Sequence, residues 1–274
     1  MQASADAQSM SKTIYLNQAR DLLARRDDGS LPYAALELRR CIESIVYEKL
    51  LTYTKYVPGL VFEQWQPAHA LKALLQFEPD ADEEFRLRIA EEDPLGNPRG
   101  PWIEMGEHRT FKLSWLQKNY NKLGSFLHVP HGRMKGWTAN DVRAYLDEVV
   151  AELDRILQSS IIGVSLASRI SFKCAVCSSN SLVNTQVAEE TKRAICINPN
   201  CGAIYHLEKR DDQWQVDLEQ TEFKCRNCGA SIWLENRHLD IGCLFKCSEC
   251  NVEYLIVARQ WAYSAKEEVD KHVG

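Results

Sequence analysis

Along the first 160 residues apolar side chains recur every three or four positions, and further on they alternate. Ile14, Leu16, Ala19, Leu22 and Leu23 form one stripe from Thr13, the signature of an amphipathic helix, and Asp27-Asp28-Gly29-Ser30 ends it. A second helix is expected from Pro32 to about Tyr56 through Leu36, Leu38, Ile42, Ile45, Val46 and Leu50, with a stop at Pro58-Gly59. The short polar turn between them implies an antiparallel pair. A third, shorter helix is expected from about Pro67 to Phe77, through His69, Leu71, Leu74 and Leu75. The period then drops to two, with Phe85, Leu87 and Ile89 alternating with charges, and Gly96-Asn97-Pro98 is placed to turn this strand back along Trp102 to Met105. A fourth helix is expected from about Thr110 to Leu127. The fifth starts where Thr138 and Asp141 stand in capping-box spacing before Val142, Tyr145, Val149, Leu153 and Ile156.

Beyond residue 160 the pattern changes. Residues 161–171 are Ser-rich and read as a connector, with a strand leading into Phe172. Trp214, Val216 and Leu218 alternate after a polar turn and predict a strand bridging what lies on either side. A closing strand at Glu253 to Ala258 and a short helix near Ser264 to His272 finish the chain.

Between these elements eight cysteines fall into two copies of one pattern. Phe172-Lys173-Cys174-x2-Cys177 is followed after 18 residues by Cys196 and then Cys201, and Phe223-Lys224-Cys225-x2-Cys228 after 18 residues by Cys247 and then Cys250. Cys174, Cys177 and Cys196 each reappear 51 residues later, and a tyrosine, Tyr205 or Tyr254, stands four residues after each last cysteine. Two sulfurs from one tight turn reach a single tetrahedral ion, and a second turn completes the shell. The expectation is two structural Zn2+ ions, each closed by four cysteines and without an open position for water. Cys41 falls on the apolar face of the second helix and reads as a small core residue. Cys243, four residues before Cys247, is a competing ligand that the repeat does not need, and His206 and His238 are spare.

The alternative for these cysteines is a disulfide framework. Ten cysteines in 274 residues are sparse for such a scaffold, and the first residues lack a secretory apolar run, so a reducing cytoplasm is expected. The uncharged run Ile156 to Ser168 is 13 residues with four serines, too short and polar to span a bilayer. Net charge is −5, with 20 basic and 23 acidic residues up to position 160 and 13 and 15 after it. Each filled four-thiolate zinc site adds −2, which takes the total to −9. That balance counts against tight, sequence-blind duplex binding, whose affinity comes mostly from neutralised phosphates. Lys173, Lys224, Arg226 and Lys246 flank metal cysteines, where they either form a basic face or offset thiolate charge.

No phosphate loop, HExxH or GxSxG is present. Candidate chemistry gathers near the end of the fourth helix, at Lys118, Asn121, Lys122, His128, His131, Arg133 and Lys135. A histidine beside a cation suits ribose 2′-hydroxyl attack, one group moving the proton and the other steadying phosphorane charge. The plainer alternative is that His128 complements a helix C-terminus.

Two segments carry a resemblance. Pro32-Tyr33-Ala34-Ala35-Leu36-Glu37-Leu38-Arg39-Arg40-Cys41-Ile42-Glu43 resembles the second helix of HEPN-type bundles. Asn121-Lys122-Leu123-Gly124-Ser125-Phe126-Leu127-His128 resembles the segment where that superfamily carries its arginine-x4-6-histidine motif. The resemblance implies a dimeric, metal-independent ribonuclease or RNA-binding protein of bacterial stress or phage defence, with Asn121, Lys122 and His128 at its site. Lys122 replaces the motif's arginine and lacks its bidentate fork. Cys196-x4-Cys201-Gly202, with Asn198-Pro199-Asn200 inside it, resembles the second turn of zinc ribbons in some topoisomerase tails and phage transcription activators, modules that bind nucleic acid or protein. Trp214, Trp233 and Tyr254 are the stacking candidates, the alternative being that an aromatic after the last cysteine belongs to the ribbon core.

The expected architecture is an α+β multidomain chain. It has a tail at 1–12, a HEPN-like bundle at 13–160 with a small hairpin inserted, a linker at 161–171, and zinc ribbons at 172–220 and 221–274. Two functions follow: RNA binding or cleavage, or a non-catalytic adaptor whose ribbons bind a partner protein or DNA while the bundle dimerises.

Overall fold

A computed structural model describes residues 2–128, 137–163, 165 and 167–257. A helical region comes first and small antiparallel sheets follow, the α+β layout expected. Helix α1 (Gln2–Ala24) starts earlier than the sequence suggests. The segment expected as a tail at 1–12 is helical from Gln2, because residues 2–12 hold three alanines and neither glycine nor proline, so nothing local stops the helix from extending backward.

Helix α2 (Leu31–Thr52) returns antiparallel to α1. The turn between them is built by Asp27, whose side chain accepts the Ser30 N–H at 2.8 Å, and by Ser30, whose hydroxyl donates to the Leu22 carbonyl at 2.8 Å. Helices α3 (Pro67–Leu75), α4 (Leu113–Ser125) and α5 (Ala139–Leu157) complete the bundle. The capping box of α5 forms as its spacing predicts, Thr138 accepting the Asp141 N–H and the Asp141 carboxylate accepting the Thr138 N–H. The first N–H of α4 is met from a distance instead: Asp82 accepts Leu113 N–H at 2.9 Å. Leu16, Leu38, Ile42, Leu74, Leu116, Leu123, Leu146 and Leu153 are fully buried in one core contributed by all five helices.

Strands β1 (Phe85–Glu92) and β2 (Pro98–His108) form the hairpin between α3 and α4. Its turn is held by Asp93, which accepts the N–H groups of Leu95 and Asn97 at 2.9 Å each. Its base is fixed at Glu107, whose carbonyl accepts Ser160 and Ile161 N–H at 3.0 and 3.2 Å. The rest of the hairpin stands away from the core.

The cysteine region opens with β3 (Arg169–Lys173) paired to β4 (Asn180–Asn184). Helix α6 (Thr185–Thr191) follows, then β5 (Arg193–Ile195), β6 (Ile204–Arg210) and β7 (Gln213–Leu218) in one sheet. The strand around Trp214, expected to bridge the two modules, is thus the third strand of the first module. Its apolar face packs there beside Leu207 and Tyr205. Strands β8 (Gln220–Lys224) and β9 (Ser231–Glu235) pair, as do β10 (Leu244–Lys246) and β11 (Glu253–Leu255). The expected helix near Ser264 to His272 lies outside the described residues.

The first cysteine module docks on the bundle. A Cβ on Gly59 would sit 2.1 Å from Pro199 Cβ, so only glycine admits the Asn198-Pro199-Asn200 turn at that point. Beside it Arg169 pairs with Glu78 at 2.6 Å, both nearly buried, with its guanidinium 4.2 Å from the Tyr56 ring centroid.

Candidate metal centres

Four turns present the eight thiols, and each is made the same way. The residue after the second cysteine takes positive φ: Ser178 (63°), Gly202 (62°), Gly229 (73°) and Asn251 (59°). Its N–H closes the turn on a carbonyl four residues back, at Cys174, Asn198, Cys225 and Cys247 respectively. The longer spacing from Cys196 to Cys201 is absorbed before this closure, which moves from the cysteine to Asn198. Turns of this kind aim backbone N–H groups at sulfur: those of Val176 and Cys177 at Cys174, those of Asn227 and Cys228 at Cys225, and that of Ala230 at Cys228.

Cys174, Cys177, Cys196 and Cys201 form one cluster, and Cys225, Cys228, Cys247 and Cys250 the other, the sulfurs of each lying within 4.8 Å of one another. Sulfur separations are 3.7 Å for Cys174 to Cys201, 3.6 Å for Cys177 to Cys196, 3.5 Å for Cys225 to Cys250 and 3.6 Å for Cys228 to Cys247. All are free thiols. A tetrahedral ion with Zn–S bonds of about 2.3 Å sets its ligand sulfurs about 3.8 Å apart, so both donor sets fit a thiophilic divalent ion such as Zn2+. With four sulfurs per ion the role is structural.

The surroundings divide the ligands: burial pushes the pKa of Cys196 up to about 12 and raises that of Cys201, and against the Ala230 amide Cys225 raises that of Cys228, whereas those of Cys174, Cys177 and Cys225 are lowered. Hydrogen bonds donated by the hydroxyl and N–H of Ser179 take the Cys177 pKa down to about 6, and one from Tyr254, with the turn amides, takes that of Cys225 down to about 6. Burial raises Cys174, yet the Tyr205 hydroxyl and the turn amides bring it below its ordinary value. What sequence reasoning missed in the two tyrosines that recur with the cysteines is their contact with sulfur: the hydroxyl of Tyr254, a stacking candidate, lies 3.0 Å from Cys225 Sγ, and Phe245 stacks on its ring. Of the other stacking candidates, Trp214 packs against the first module's core and Trp233 is exposed.

The two centres differ in enclosure. In the first, Cys174, Cys196 and Cys201 are buried, whereas in the second Cys228 is exposed and Cys250 half-buried. Cys41 is a buried core residue of α2, as expected, and Cys243 lies outside both clusters. His206 and His238 are exposed and outside them too. The flanking Lys224 and Lys246 pair with Glu222 and Glu253.

At the end of α4 Asn121 is exposed on the helix. Lys122 is half-buried, its ammonium 4.1 Å from the Trp137 ring centroid and 3.7 Å from that of Tyr145. Burial, and then the like charge of Lys118, lower its pKa. His128 is exposed just past the helix and lines a cavity of about 180 Å³ with Ser125, Phe126 and Trp137. His131, Arg133 and Lys135 lie outside the described residues. The charged residues of the α2 segment hold α4: Arg39 donates to the Tyr120 carbonyl at 2.9 Å and covers its ring at 3.8 Å, while Tyr120 donates to Glu43 at 2.6 Å. Gly124 leaves room for Arg39, whose Nη1 would lie 2.4 Å from a Cβ there.

Fold and site together define a helical scaffold carrying two four-cysteine centres that fit tandem zinc ribbons. No protein-family model matches the chain, and neither a curated protein nor a solved structure matches it. Among the described residues no helix is long and apolar enough to cross a membrane.

Proposed function

We propose that the chain is a non-catalytic adaptor: the bundle is a scaffold, the two zinc centres fold the C-terminal modules, and the β1–β2 hairpin docks a protein partner. The hairpin carries this reading. Ile89 and its cross-strand partner Ile103 are 47 and 58% exposed, Met105 two residues along from Ile103 is 52% exposed, and Trp102 and the tip residue Leu95 are 53 and 86% exposed, an exposed apolar cross-strand pair with apolar neighbours, of the kind that marks a docking surface. Arg86, Arg88 and Arg99 are outnumbered by Glu91, Glu92, Glu104 and Glu107 on the same two strands, whereas a phosphate-binding face needs a surplus of cations. Self-association through the bundle and a reducing cytoplasm belong to the same reading.

The second reading is a metal-independent ribonuclease. It draws on His128, exposed beside a cavity that Trp137 also lines, with Lys122 as the cation and Asn121 beside it. Lys122, set between two rings, is poorly presented for a phosphate. A photo-crosslinking residue in place of Ile103, activated in cells, separates the two. A discrete protein adduct that disappears with Trp102→Ala supports the adaptor. RNA adducts, or RNA cleavage by the purified chain that His128→Ala abolishes, move the assignment to the ribonuclease.

A further inference from the structure

Each metal centre contains one contact that ligand spacing does not require. Tyr205, at the start of β6, places its hydroxyl 3.1 Å from Cys174 Sγ, and Tyr254, in β11, places its own 3.0 Å from Cys225 Sγ. In both cases the hydroxyl oxygen is also met by the N–H of the residue after that cysteine, Ala175 at 2.8 Å and Arg226 at 3.0 Å. With its oxygen accepting an amide, the hydroxyl turns its single proton to sulfur. The rings are held from behind: Phe172 meets Tyr205 edge-on with centroids 4.8 Å apart, and Phe245 stacks on Tyr254 at 5.4 Å. The same bond thus arises in two modules whose second turns differ in length. Chance packing does not account for that.

We propose that Tyr205 and Tyr254 are positioning residues of the metal centres, each tying the strand that leaves the second cysteine turn to the first turn and donating its O–H to the first ligand thiolate. This rests on the reading of the two cysteine clusters as metal sites and goes beyond it. Four thiolates on one divalent ion leave two surplus negative charges. A hydroxyl proton aimed at one sulfur draws off part of that charge and makes the metal-bound sulfur a poorer nucleophile. Outer partners of this kind change metal affinity by roughly 10- to 100-fold when removed.

The test uses the full chain with Tyr205→Phe and Tyr254→Phe, which keep the ring and remove only the hydroxyl. Cobalt(II) loaded in place of zinc reports the sulfur donor directly. The expected result for each variant is a thiolate-to-cobalt charge-transfer band moved to lower energy, zinc lost to a competing chelator at roughly 10- to 100-fold lower chelator concentration, and faster iodoacetamide alkylation of Cys174 or Cys225 respectively in the zinc-loaded protein. Helical circular dichroism unchanged from wild type establishes that the fold persists. Wild type that binds two ions, with variants matching it in band energy, chelator resistance and alkylation, overturns the positioning role while the metal centres stand. Wild type that binds no thiophilic ion overturns both.

Discussion

Lys49 is the residue whose surroundings least resemble what its charge would choose. It sits in α2, 4% exposed, and reaches the Ala81 carbonyl at 2.5 Å and Thr110 Oγ1 at 2.7 Å. Two acceptors suit a neutral amine, which has two N–H groups to give. Burial, against the opposing pull of Asp82 and Glu84, lowers its pKa from 10.5 to about 7. Between these values the unfolded chain binds the proton and the folded one does not, so stability rises with pH across that window. The burial cost is present in full below about pH 7 and is shed as pH approaches 10. Lys49→Met should flatten this rise, which denaturant unfolding of variant and wild type from pH 7 to 9 would measure. An unchanged difference between the two at every pH would contradict it. A single residue of this kind is invisible to pattern reading, because a lysine on an amphipathic helix is expected at the polar edge.

At the scale of elements the two cysteine modules part company. The first has a core of its own, with Ile170, Val183, Ala188, Ala194, Tyr205 and Leu207 buried besides three ligands. The buried core of the second is Cys225, Ile232 and Cys247, two of the three being ligands. Metal binding in such small modules is largely their folding energy, about 10 to 16 kcal/mol per zinc, and besides it the second module has only partly buried apolar side chains such as Phe223, Leu234, Phe245 and Tyr254. A chelator titration followed by elemental analysis should therefore show one ion leaving before the other. Cys225→Ser should retain one ion and expose the amides of β8 to β11 to hydrogen exchange while β3 to β7 stay protected. Cys243→Ser, which touches neither cluster, should retain two. Loss of both ions together would argue against the independence of the modules. An arginine links them: Arg237, in the turn after β9, sits 3.6 Å from where a Cβ of Gly202 would be, and the thiolates of Cys201 and Cys174, after its pairing with Glu235, help raise its pKa.

Across the whole molecule the decisive contact is the Arg169–Glu78 pair between the first module and the bundle, joined by Ser165, whose hydroxyl donates to Glu78 at 2.7 Å. Removing one partner of a buried pair leaves the other charged and desolvated, at about 3 to 5 kcal/mol. Glu78→Ala should cost on that order and split thermal unfolding into separate transitions for bundle and module, whereas Glu78→Met with Arg169→Met should recover most of the loss. Calorimetry of the three proteins decides it, and a single unshifted transition for Glu78→Ala would refute the coupling. Much of this molecule was legible in its sequence. The eight ligands, the helix stripes, the Thr138 cap and the hairpin turn all depend on neighbours within a few residues, where spacing fixes geometry. The 51-residue repeat then pairs the cysteine turns without any knowledge of the fold. The half-burial of Lys122 against two rings, the desolvation of Lys49, the tyrosine protons aimed at sulfur and the fit of Pro199 over Gly59 were decided only by the tertiary structure. Each joins residues far apart in the chain, and such partners are chosen by packing, which no local pattern encodes.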